Sequence, residues 1–192
     1  MNLNKILYRK TIEEVSKNFN LLKSSDVHSQ IENALKLILN ALKKKNKIIF
    51  CGNGGSAADA QHLAAELLGG YLKKNRKPIK AICLNTNTST ITAISNDYDY
   101  KYIFSRQLKA LSSKGDVLFC ISTSGTSKNI LEVLKTAKKI GIKSILLTGR
   151  RKRNTKLSDL QINVPANRVD RIQEMHIFVG HLICEILEKK LT

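Results

Sequence analysis

Two short stretches, Gly52-Asn53-Gly54-Gly55-Ser56 and Ser122-Thr123-Ser124-Gly125-Thr126-Ser127, stand where an apolar run gives way to a helical pattern. Backbone amides left free in the first turn of a helix attract an anion, and glycine lets the main chain approach a ligand closely. The second stretch adds a run of hydroxyls, which suits a phosphate monoester with its three oxygens to satisfy. His62 and Glu66 lie four apart, so on a helix they share one face and can reach a common atom. Taken alone, that pair reads first as a structural hydrogen bond. Further on, Gln173, His176 and His181 share one long helical stretch. His176 and His181 are five apart and point in different directions. Gln173 and His181 stand at i and i+8, about 12 Å of axial rise and ~80° of rotation. Either a site containing both is assembled across a subunit boundary, or only one of them touches a given ligand.

Competing motifs fail on details. The first loop lacks the third glycine of a dinucleotide fingerprint, and the next strand ends in Asn85 rather than an acid for a ribose hydroxyl. Neither loop matches the nucleotide-hydrolysing P-loop. Cys51, Cys83, Cys120 and Cys184 show no paired metal-site spacing and read as small buried hydrophobes in a reducing cytoplasm.

Elements that position these residues can be read from apolar periodicity. The first ~45 residues predict a helical hairpin: Leu3, Ile6, Leu7, Ile12, Val15, Phe19 and Leu22 form one stripe, and Val27, Ile31, Ala34, Leu35, Ile38 and Leu42 another. Ser24, Ser25 and Asp26 offer capping oxygens for the second helix. Such a hairpin must pack on the main domain or on another subunit. Short apolar strands are then expected at residues 48–51, 79–84, 117–121, 142–147 and 162–164. Helices are expected at 57–68, 88–94, 102–111, 128–140 and 169–187. Strands buried on both faces and joined by crossover helices predict a parallel sheet with helices on both sides. Ligands of such folds bind beyond the carboxyl ends of the strands, where both candidate loops fall. With no Pro/Gly/Ser-rich linker, one domain is expected: the hairpin of residues 1–45 and the α/β unit of residues 46–192.

The 192 residues are 42% apolar and 25% charged, ordinary for a globular chain. Lys and Arg number 33 against 15 Asp and Glu, and the net charge of +18 favours anionic partners. Lys43 to Lys47, Lys73 to Lys77 and Arg150-Arg151-Lys152-Arg153 are dispersed, with no recognition motif and no aromatic interleaving, so they read as solvated faces and nucleic acid is not expected as a partner. Arg150 to Arg153 follow a strand end, where they could steer an anionic sugar. No run is apolar enough to cross a membrane, and the N-terminal residues lack a signal-peptide core, so a cytoplasmic protein is expected.

Taken together, CGNGGSAADAQHLAAEL, TITAISNDY, ISTSGTSKNI, ILLTGR and RIQEMHIFVGHLICEILE make the chain similar, over essentially its whole length, to the sugar isomerase (SIS) domain family. The resemblance is to members that isomerise sedoheptulose 7-phosphate, a seven-carbon ketose phosphate, to a glycero-manno-heptose 7-phosphate. It implies a three-layer α/β/α sandwich with a five-stranded parallel sheet, and a homotetramer with active sites at subunit interfaces. It also implies a zinc ion held by His62, Glu66, Gln173 and His181, with phosphate bound by Ser122, Thr123, Ser124 and Ser127. Asn53, Gly54, Gly55, Ser56, Asn96, Asp97 and Gln173 would line the sugar. Glu66 would be the base that moves the proton from C1 to C2, and His181 the acid that serves the oxygens.

One departure stands out. Relatives commonly carry an arginine where this chain has Gly70, between Gly69 and Tyr71, which leaves Lys73, Lys74, Arg76 or Lys77 as the nearby cations. The rival reading is a non-catalytic tetrameric relative that binds a replication-initiator protein. Such relatives lack the matches to Glu66 and His181, and both residues are present here.

Overall fold

A computed structural model describes residues 3–23, 25–150 and 156–191. Ser24, Arg151, Lys152 and Arg153, singled out above, lie outside the described residues. In chain order the elements are α1 (Leu3–Lys23), α2 (Val27–Lys43), β1 (Ile48–Gly52), α3 (Gly55–Gly69), β2 (Ala81–Cys83), α4 (Thr88–Asp97), a 3-10 turn (Tyr100–Tyr102), α5 (Ile103–Leu111), β3 (Val117–Ile121), α6 (Lys128–Ile140), β4 (Lys143–Thr148), β5 (Leu160–Asn163) and α7 (Val169–Leu191).

The five strands form one parallel sheet in the order β2-β1-β3-β4-β5. Every residue of β1 and of β3 is buried, as expected of a sheet covered on both sides. Alternate residues serve different layers. Ile48, Phe50, Val117 and Phe119 pack with α2, α3 and α7, whereas Ile49, Cys51, Leu118 and Cys120 pack with α5 and α6. The chain leaves β1 toward β2 and returns past β1 to β3, so the strand order reverses between β1 and β3. That reversal opens a crevice at the carboxyl ends of these two strands, the expected ligand position.

Three expectations are corrected. Asp26 occupies the cap position of α2, but its backbone (φ −70°, ψ 3°) is not extended and its side chain makes no capping bond. Ser25 Oγ instead donates to the Leu22 carbonyl (2.9 Å). The second strand is only Ala81–Cys83, because Ile79 N turns to the Leu67 carbonyl at the end of α3. Arg76 is no solvated cation: its side chain is 1% exposed and pairs with Glu188 (Nε–Oε1 2.6 Å).

The hairpin's two helices fare differently. The stripe of α2 is buried on the sheet, and each fully buried side chain such as Ile38 contributes about 1.5–3 kcal/mol. Helix α1 has no buried residue; Leu3, Leu7, Tyr8 and Ile12 face outward, and an edge-to-face contact joins Phe19 to Phe178 on α7 (centroids 5.3 Å).

Helices α3 and α7 lie side by side and run in the same direction: Gln173 meets Gly55, Gly180 meets Leu63, and Glu188 meets Tyr71. A side-chain carbon at Gly180 would meet the branched end of Leu63, so glycine there sets the close approach. Gly180→Ala gains helix propensity but must push Leu63 away, and a net loss of about 1–2 kcal/mol is expected. Thermal unfolding checks this: a midpoint unchanged or raised in Gly180→Ala would show that the helices do not depend on this contact.

Candidate active site

The two loops at the β1/β3 crevice are joined by a reciprocal amide pair. Asn53 Nδ2 donates to Asn129 Oδ1 and Asn129 Nδ2 donates to Asn53 Oδ1, both at 2.8 Å. A hydroxyl of Tyr100 also reaches Asn53 Oδ1 (3.3 Å), so the segment following Asn96 and Asp97 folds back over the first loop. Asn96 and Asp97 are exposed at the end of α4, with Asn96 Nδ2 donating to Asp97 Oδ1 (2.9 Å). Gly54 and Gly55 are exposed at the start of α3, and Ser56 is buried. The Gln173 side-chain amide occupies the space that a side chain on Gly55 would need.

In the second loop, Ser122 Oγ accepts from Gly125 N (3.2 Å). Ser124 Oγ accepts twice, from Thr126 N (3.2 Å) and Thr126 Oγ1 (3.0 Å). As acceptors here, both serines keep their own O–H groups for a further acceptor. Ser127 stands at the cap position of α6, and Thr123 is half-buried beside it.

The second cluster lies two to three turns along α3. His62 Nε2 and His181 Nε2 are 2.8 Å apart, with Glu66 Oε1 3.5 Å from His62 Nε2. Tyr71 lies against His181, its ring 5.6 Å away between centroids. The end of α3 that carries Glu66 is held firmly. Arg76 donates to the Glu66 carbonyl (2.6 Å) and the Leu67 carbonyl (2.9 Å), which also accept from Gly70 N and Ile79 N at the helix end. Glu188 in turn accepts from Arg76 and from the backbone N–H groups of Tyr71, Leu72 and Lys73. Burial pushes the Glu188 carboxyl up, but these donors outweigh it and hold it below the usual carboxylate range. Gly70 adopts φ 134° with no room for a side chain beside the Lys73 carbonyl, so an arginine side chain has no place in this turn. Arg76, committed to Glu188 and α3, is not its replacement.

One residue near this cluster escaped the sequence reading. Asp59 sits one turn before His62, and its Oδ2 is buried without a hydrogen-bond partner. Burial pushes its carboxyl up to about 6, partly offset by charge on His62. The signal was present in the spacing of Asp59, His62 and Glu66 along one helix face, but its burial is tertiary. His176 faces the opposite way from His181; it is fully buried, and burial pushes it down to about 4 despite the Thr148 backbone beside it. Cys51 and Cys120 lie side by side (Sγ–Sγ 3.5 Å) under the two loops, and burial raises the Cys51 thiol well above its ordinary value, so it is no ready nucleophile.

Within one chain the two clusters are separate. Eleven residues of helix divide Gly55 from Glu66, about 16 Å along the axis, and seven divide Gly55 from His62, about 10 Å. Gln173 stands at the loop end, and His62, Glu66 and His181 at the other.

The chain belongs to the SIS domain family, whose model matches residues 8–149. It is 52% identical over 163 residues to phosphoheptose isomerase of Aliarcobacter butzleri, covering 84% of this chain and 86% of that one. It is 48% identical over 164 residues to phosphoheptose isomerase of Helicobacter pylori strain P12, covering 85% of each. Among solved structures, phosphoheptose isomerase from Neisseria gonorrhoeae superposes with a TM-score of 0.88 at 37% identity, over 98% of this chain and all of that one.

Asp59 supplies a pH test. Its carboxyl titrates near 6 when folded and near 4 when unfolded, so the folded form binds the extra proton in between and stability falls as pH rises through that window. Asp59→Asn should therefore raise the thermal midpoint by a few degrees at pH 8 and leave it nearly unchanged at pH 4. Identical midpoints at pH 8 would place Asp59 in solvent.

Proposed function

We propose that this chain is an aldose–ketose isomerase that converts sedoheptulose 7-phosphate to D-glycero-D-manno-heptose 7-phosphate, in sites completed between copies of the chain. The observation that carries the reading is the meeting of Glu66, His62 and His181 on one helix pair, in a chain that also keeps the hydroxyl turn. Phosphoheptose isomerase relatives at about half identity support the substrate.

The chemistry needs a base for a weak carbon acid and a group that moves protons between oxygens. Glu66 takes a proton from C1 of the open-chain ketose, and the electron pair forms the enediolate. His181 exchanges the proton of O1 for one on O2, and Glu66 returns its proton to C2, leaving the aldehyde at C1. No atom is gained or lost. Ser122, Thr123, Ser124 and Ser127 hold the phosphate, while Asn53, Gly54, Gly55, Ser56, Asn96, Asp97 and Gln173 line the sugar.

The donor types, two imidazole Nε2 atoms facing each other with a carboxylate beside them, are of the kind zinc takes, which supports the metal reading. His62, Glu66 and His181 would hold the ion, with Gln173 of a neighbouring copy as the fourth ligand, and the Glu66 contact would be loose or substrate-dependent so that its carboxylate can serve as the base. When bound, zinc supplies polarisation of the carbonyl.

Assembly from several copies has independent support. An apolar groove of about 920 Å³ lies between α1, α2 and α7, lined by Phe19, Leu22, Ile31, Leu35, Phe178 and Leu182. A second copy seated on this groove would cover Phe178 and the exposed parts of Phe19 and Leu22. The four free cysteines suit a reducing cytoplasm.

Replacing Glu66 by Gln should cut aldose formation from sedoheptulose 7-phosphate by at least about 100-fold, the range for loss of a general base, while the oligomer and inorganic phosphate binding persist. Full turnover in Glu66→Gln would end this assignment.

A further inference from the structure

The hydroxyl turn has an opposite wall that the assignments above leave without a role. A cavity of about 250 Å³ is lined on one side by Thr123, Ser124 and Thr126 and on the other by Arg150, Asn167 and Ile172. The exit of β4 is stitched to both sides: Gly149 N donates to the Thr123 carbonyl (3.3 Å) and Arg150 N to the Ala166 carbonyl (3.2 Å). Arg150 is therefore carried at a fixed distance from the turn by backbone bonds, while its side chain is exposed.

Among the described residues, the charges at this rim are paired with one another, except at Arg150. Asp170 is held by Arg168 (2.7 Å) and Arg171 (3.1 Å), and Glu174 by Arg171 (2.9 Å). Among the described residues, Arg150 has no ion pair. Across the cavity, Ser124 Oγ accepts two hydrogen bonds and keeps its proton to give. One wall thus offers an uncommitted hydroxyl donor and the other an uncommitted guanidinium. An anion with several oxygens satisfies both, and a guanidinium binds phosphate through paired N–H groups.

We infer that Arg150 is a specificity-determining residue for the sugar phosphate: its guanidinium closes on the phosphate from the side opposite Ser124 and Thr126, with the Asn167 amide beside it. This rests on the isomerase reading for its substrate, but its physical content is recognition of a phosphate monoester. The hydroxyl turn supplies neutral donors for the oxygens, and Arg150 adds the full charge that separates a phosphorylated sugar from the free sugar.

Arg150→Met and Arg150→Lys decide the matter, with steady-state turnover of sedoheptulose 7-phosphate and calorimetric binding of inorganic phosphate as paired readouts. In Arg150→Met, KM should rise about 10- to 100-fold with kcat within about threefold of wild type, and phosphate affinity should weaken in step. Arg150→Lys should recover part of both losses. Unchanged KM and unchanged phosphate binding in Arg150→Met would overturn the inference, as would a fall in kcat at constant KM. Absence of turnover in the wild-type protein would overturn the isomerase reading instead, and phosphate binding to the two proteins would still decide the role of Arg150.

Discussion

Everything in this molecule's chemistry is referred to the contact between α3 and α7. Gly180 lets the two helices touch at Leu63, and their common direction pairs residues of equal height: Gln173 with Gly55, His181 with His62, Glu188 with Tyr71. A helix rises 1.5 Å per residue, so these pairs are separated as firmly as they are formed. The rigid rod that presents the loop amides at one end therefore carries the carboxylate and imidazoles at a fixed remove, and no side-chain rotation brings the two ends together. A buried ion pair fixes the far end. Arg76 and Glu188 lie 112 residues apart, and between them they close the carbonyls of the last turn of α3 and the backbone of the segment that follows.

The fold is largely legible in the sequence. Strands buried on both faces announce themselves as unbroken apolar runs, and Ile48 to Cys51 and Val117 to Ile121 did so. Shorter or half-covered elements were less clear: Ile79 and Leu84 look like strand residues, yet Ile79 bonds to the end of α3. Local capping chemistry misled at Asp26, since cap formation needs an extended backbone that the tight link between α1 and α2 does not give. Helix α1 showed the opposite limit, for its apolar stripe is plain in the sequence, yet only its end at Phe19 and Leu22 packs against the core and none of its residues is buried.

The candidate site was legible as residue types but not as an arrangement. Spacing placed His62 and Glu66 on one face and set Gln173 and His181 two turns apart, and both relations hold in the structure. Spacing could not show that Asn53 and Asn129 lock the two loops, since 76 residues divide them. Nor could it show that Asp59 is buried or that Arg76 is already spent on Glu188. Those facts depend on which surfaces meet, and composition counts Arg76 with the solvated lysines around it.

The central claim is that a working site takes its hydroxyl turn from one copy of the chain and Glu66 from another. Subunit mixing tests it most directly. Glu66→Gln and Ser124→Ala are each strongly impaired when pure; the two are dissociated together in mild denaturant, reassembled, and assayed with sedoheptulose 7-phosphate. If the turn and the carboxylate come from different copies, hybrid assemblies regain some intact sites and activity reappears well above either parent. A mixture no more active than its parents, with hybrid assembly verified by mass, would contradict the account.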